Sequence, residues 1–138
     1  MHLFSESAVW ETKSEFVTED GTISKGYGET HIYFEDHLIF NKSWVRLEHA
    51  LRENHYKIKP VSENLFEFES LNPELGIQKG KFHIDRNVVF SKFEITKTEL
   101  AGFEIIIRSE DKCYSYGSLY RGDHFVNSWS AALRKKGR

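Results

Sequence analysis

Histidine, cysteine and tyrosine are the residues of this chain best placed to do chemistry, and each makes its own geometric demand. Seven histidines offer nitrogen ligands to a metal. A metal site needs two or three of them to converge, with partners that fix each ring. His31 and His37 flank one turn, and His83 and His124 fall on or near other strands. No His-x-His or His-Glu-x-x-His spacing occurs, so no metal site is expected. Cys113 is the single cysteine, which excludes an internal disulfide. Beside a histidine it would be a nucleophile; alone at a strand start it is a small packing residue. Tyr114, Tyr116 and Tyr120 share one alternation with Ser118. Facing inward, their hydroxyls would orient a polar or aromatic ligand. Facing outward, they would form an exposed or partner-binding stripe. The other alternation, Cys113, Ser115, Gly117 and Leu119, is smaller and would suit a crowded interior. Trp44 and Trp129 read as core or pocket wall. The expected ligand-binding set is therefore Trp44, Tyr114, Tyr116, Tyr120 and Trp129.

Three short motifs carry less. Gly26-Tyr27-Gly28 lacks the third glycine and the following helix of a dinucleotide fingerprint. Arg121-Gly122-Asp123 matches an integrin tripeptide but reads as a hairpin turn. Asn41-Lys42-Ser43 is a glycosylation sequon by pattern only.

The elements that must position these residues are strands. Residues 7–18 alternate, with Ala8, Trp10 and Phe16 on one parity and Glu11, Lys13 and Glu15 on the other. Such alternation buries one face and wets the other. Asp20-Gly21 then signals a hairpin. Residues 23–34 form the second strand, and two glycines of one parity, Gly26 and Gly28, predict a bend or close backbone approach. Residues 37–47 read as a third strand. A helix from Ser43 competes with it over residues 43–53, because Trp44, Leu47 and Leu51 fall at helical spacing. Residues 54–61 and 64–70 alternate, and Pro73 and Gly76 make a firm turn. Residues 77–84 and 88–97 form a hairpin. The stretch from Leu100 to Leu133 holds three aromatic and β-branched runs broken at 109–111 and 121–123. The tail from Arg134 onward is expected to fray.

Nine or ten strands at this spacing leave no room for a β-α-β crossover. A single meander of that length has exposed edges unless it closes. The expected fold is all-β: one antiparallel up-and-down barrel spanning residues 1–138 as a single domain, able to hold a small ligand. An α+β sheet with packed helices is the rival. The chain has 138 residues, a net charge of -2 and 14% aromatic content, which suits alternating strands. That charge supplies no basic field for a nucleic-acid backbone. No segment has signal-peptide character, and none approaches the ~20 apolar residues of a membrane span. A soluble cytoplasmic setting is expected.

The layout resembles the calycin superfamily of lipocalins, fatty-acid-binding proteins and their bacterial relatives. Those barrels often carry a tryptophan on the first strand and a basic residue near the end of the last; Trp10 and Arg134 stand in those places. Lipocalins have a glycine two places before the tryptophan, where this chain has Ala8, and the helix pair of fatty-acid-binding proteins is absent. The closing Ser128-Trp129-Ser130-Ala131-Ala132-Leu133-Arg134 also resembles the last strand of nitrobindin-type haem barrels. Ser128 stands where their haem-ligating histidine belongs, so the resemblance supplies no haem ligand there. It implies a lipocalin-like barrel closed by its first and last strands, with Arg134 over Trp10. It also implies a carrier or sensor of a small, mostly apolar or aromatic ligand of unknown identity, and no cofactor is assigned. An enzyme of isomerase or cyclase type on the same scaffold would need a buried acid or base in the cavity. A filled barrel would instead be an interaction module.

Overall fold

The computed structural model describes residues 1–137. A 3₁₀ turn, Leu3–Ser5, precedes ten strands: β1 Ala8–Thr18, β2 Ile23–Glu35, β3 Leu38–Arg46, β4 Leu51–Pro60, β5 Leu65–Asn72, β6 Gly76–Asp85, β7 Val88–Ile95, β8 Leu100–Ser109, β9 Lys112–Arg121 and β10 His124–Lys135. Each pairs antiparallel with its neighbours in sequence, and β1 pairs with β10, so the meander closes into a barrel without edges. This is the expected architecture, at the upper strand count.

The rival helix over residues 43–53 does not form. β3 runs through Arg46, and Leu47 N–H donates to Ala50 O at 2.8 Å to turn the chain into β4. Pairing on both sides, Ser43 with Thr30 and with Asn54, overrides the helical spacing. The two-glycine expectation holds at Gly28. A Cβ there would lie 1.7 Å from the Trp44 carbonyl oxygen, so only glycine lets β2 and β3 approach this closely.

Alternation sets which side chains point inward, and position along the strands divides the interior into two layers. The lower layer is apolar: Trp10, Ile32, Ile39, Ile58, Phe66, Phe82, Val89, Ile106, Cys113 and Leu133 are all buried. Leu3 and Phe4 of the 3₁₀ turn enter this end as a plug, with Phe4 4.8 Å from Phe82 and Phe82 stacked on Phe68 at 4.3 Å. The opposite end, where the turns at 19–22, 47–50 and 73–75 lie, is the mouth.

Closure runs through β1 and β10, but not through the expected side chains. Trp10 pairs with Lys135 and Glu11 with Arg134. Arg134 is thus one step out of register with Trp10, and the pleat sends it to the outer face. The guanidinium over the Trp10 indole belongs to Arg108 of β8, at 5.0 Å. Arg108 is buried and also donates to the backbone oxygens of Glu110 and His2 and to Glu6 Oε2 at 3.1 Å. Lys135 reaches Glu6 as well. The expected fraying therefore does not begin at Arg134, because β10 continues to Lys135.

Candidate functional site

The mouth half of the barrel encloses a cavity of about 220 Å³. That is below the ~300–1,000 Å³ typical of small-molecule sites. It suits a small ring system held whole, or a larger molecule held in part.

Its wall mixes apolar side chains, among them Val45, Leu119 and Leu133, with a set of polar ones. β1 and β2 supply Thr12, Ser14 and Thr30, with the two threonine hydroxyls 3.1 Å apart. β3 to β6 supply the carboxamides of Asn41, Asn54, Asn72 and Gln78. Asn72 Nδ2 donates to Asn54 Oδ1 at 3.0 Å. Asn41 is buried, and its Oδ1 has no hydrogen-bond partner among the described residues. Aromatic surface comes from Phe16, Tyr56, Phe93 and Trp129.

Glu104 is the one carboxylate among the described residues of this lining. It occupies an inward position of β8, between Gly102 and Ile106 in the alternation. Its Oε2 accepts a hydrogen bond from Trp129 Nε1 at 2.8 Å. The two residues are on β8 and β10, so the indole must cross β9. It does so over Gly117, which is in register with both. A Cβ on Gly117 would sit 2.2 Å from Trp129 Cζ2, so that glycine is what lets Trp129 reach the carboxylate. Burial pushes the Glu104 carboxyl above its usual 4.5, and the indole hydrogen bond offsets part of this. Burial and the nearby Glu104 charge also push the Tyr56 phenol up. Among the described residues Glu104 makes no ion pair. Arg52, the one cation among the described residues of the lining, is at the mouth, 5.1 Å from the Phe16 ring centroid and 3.9 Å from Glu74. The site can therefore accept hydrogen bonds at Glu104 and Asn41, and β8 and β3 lie on opposite sides of the ring.

The residues anticipated from sequence divide. Trp129 lies in the cavity wall. Trp44 contributes at the rim, on the outward alternation of β3 and 37% exposed. The three tyrosines are not in the interior. Tyr114 and Tyr116 face outward, 39% and 54% exposed, and Tyr120 packs on Phe125 at 5.8 Å. The inward alternation of β9 is the small one, Cys113, Ser115, Gly117 and Leu119, because Trp129 already fills the space beside it. Among the described residues no histidine lines the cavity, and no three potential ligands cluster for a metal. Cys113 lies in the apolar layer, where burial pushes its thiol up to about 12, so it packs rather than attacks. Sequence reasoning missed Glu104 and the carboxamides. The signal was a lone Glu inside the apolar run Gly102-Phe103-Glu104-Ile105-Ile106.

No protein-family model matches the chain, and no curated protein matches its sequence. Solved structures share its fold. Rv2717c from M. tuberculosis superposes with a TM-score of 0.74 at 11% identity, over 94% of this chain and 92% of that one. The S-type phycobiliprotein lyase CPES from Guillardia theta does so with a TM-score of 0.66 at 8% identity, over 95% and 88%. At such identities the likeness is one of fold: a closed, ten-strand antiparallel barrel.

Proposed function

We propose that this protein is a carrier or sensor that holds a small ligand inside its barrel. The observation that supports this most is the mouth-side cavity, whose wall combines aromatic faces with two acceptors, at Asn41 and Glu104, that have no partner among the described residues. A barrel serving only as an interaction scaffold would be filled at this level, as the lower layer is. The lining shifts the ligand from mostly apolar to aromatic with polar edges, since burying a purely apolar molecule against Asn41 and Glu104 would leave both unpaired.

An enzyme is the second reading, and Glu104 is the observation that favours it: a carboxyl with raised pKa inside a cavity can serve as an acid or base. That a lyase shares this fold speaks to the scaffold alone. Native mass spectrometry of gently purified protein tests the main reading, followed by thermal-shift titration with small aromatic compounds. A co-purifying mass, or a saturable rise in melting temperature that a competitor reverses, is expected. No bound mass and no response across the panel would favour the filled-barrel interaction module. Chemical turnover of a bound compound, lost in Glu104→Gln, would favour the enzyme.

A further inference from the structure

We propose that the ligand carries a delocalised nitrogen cation of the aromatic amidine or aminoheterocycle class, which pairs with the free oxygen of Glu104. The inference deepens the binding reading above and rests on it.

Glu104 Oε2 is taken by the Trp129 indole, while Oε1 has no partner among the described residues. An ionised carboxylate only accepts hydrogen bonds, so its complement is a donor, and a cationic donor gives the stronger bond. No cation among the described residues serves. Arg52 is at the mouth, engaged with Phe16 and Glu74, and Arg108 is at the plug end, held by Trp10, Glu6 and backbone oxygens. The groups facing Glu104 from the surrounding strands are otherwise neutral: Ser91 on β7, Gly117 on β9, Trp129 on β10 and the Tyr56 phenol on β4. Across the ring, the unpartnered Asn41 Oδ1 offers a second acceptor. Two acceptors on opposite walls, with aromatic faces around the same cavity, match a flat ring bearing N–H donors. An anionic ligand would instead meet an unneutralised carboxylate. The arrangement is also a built one: β9 gives up a side chain at Gly117 so that Trp129 can hold Glu104 in place.

The experiment uses three isosteric one-ring probes, chosen to fit the small cavity: benzamidine, benzamide and benzoate. Each is titrated calorimetrically into the full chain and into Glu104→Gln. At neutral pH benzamidine is expected to bind roughly tenfold or more tighter than benzamide, with benzoate weakest. Glu104→Gln should abolish that preference while still binding benzamide. A wild-type measurement covers the case of a variant that does not fold. Because burial raises the Glu104 pKa, benzamidine affinity should fall as pH drops from neutrality toward 4.5, and its binding enthalpy should depend on buffer ionisation as a proton is released. Benzamide or benzoate binding as tightly as benzamidine would overturn the cation and leave the binding reading standing. Failure of all three probes to bind would overturn this inference, and together with the absence of any co-purifying mass it would overturn the binding reading as well.

Discussion

Glu104 is expensive to keep where it is, and that is why it is informative. A carboxyl whose pKa is raised by folding is disfavoured in the folded protein once it ionises. In this case the unfolded chain gives up its proton first, near the usual 4.5. Stability therefore falls as pH rises from there through the folded pKa, and the full penalty persists above it. Glu104→Gln should accordingly raise the melting temperature of the ligand-free protein by a few degrees at neutral pH. The gain should vanish below the unfolded pKa, where both forms are neutral. A thermal melt at two pH values checks this, and a variant less stable than wild type at neutral pH would show that Glu104 is structural. A residue that weakens the empty fold fits a functional role. At this scale the sequence was only partly legible. Trp129 was identifiable as core or pocket wall, because a tryptophan in the middle of the last strand has few other places to go. Glu104 was not, since both faces of β8 are apolar: Phe103 is 52% exposed on the outer wall, so polarity could not say which side was in.

The plug and the closure belong to the scale of elements. Residues 1–6 gave no strand pattern, yet they cap the barrel. His2 caps the turn, accepting from Phe4 N–H at 3.2 Å, while Glu6 is held by Arg108 and Lys135. The Trp10 partner was assigned to the adjacent strand β10, but Arg134 faces out and the cation over the indole comes from Arg108 of β8, a contact between non-adjacent strands that strand order does not show. A cation over a desolvated indole contributes about 2 kcal/mol. In denaturant melts, the Trp10 and Arg108 substitutions to Ala should therefore couple by about that amount, and those of Trp10 and Arg134 should add independently. Coupling to Arg134 instead would restore the expected pairing. Acid should loosen the same plug in two steps. Burial, then the N-terminal ammonium and Arg108, holds His2 below 6.5; its contribution is complete above 6.5 and declines as pH falls below that value. The Lys135 hydrogen bond, then Arg108, lowers Glu6 against a smaller effect of burial; its contribution is present above 4.5 and is lost as pH falls through the lower folded value. Relative to its intrinsic exchange rate at each pH, the Phe4 amide should lose hydrogen-exchange protection across both ranges before the strands do. Simultaneous exchange of plug and strands would show that the plug has no independent opening.

At the scale of the whole molecule, the fold was legible because a ten-strand meander has few places to put two unpaired edges. Alternation named the strands, turn residues separated them, and closure followed from the edges themselves. Proline placement fits the same logic. The chain has two prolines: Pro60 ends β4, and Pro73 sits in the turn after β5. In a closed barrel every interior strand position is flanked on both sides, so none tolerates the loss of an N–H. The β1–β10 seam joins the two ends of the chain, and nothing local substitutes for it. Ala131 lies on that seam, between Ser14 of β1 and Ser115 of β9. Ala131→Pro should remove a ladder bond and leave a carbonyl unpaired, at about 1–3 kcal/mol, before any strain from the ring. If the barrel is one cooperative unit, that loss lowers stability everywhere at once. Far-UV circular dichroism, Trp10 fluorescence in a Trp44→Phe/Trp129→Phe background and Trp129 fluorescence in a Trp10→Phe/Trp44→Phe background should then share one shifted midpoint. If the seam were instead an edge pairing that opens on its own, Trp10 would report its release at a lower denaturant concentration than the strand signal, and closure would be dispensable to the rest of the fold.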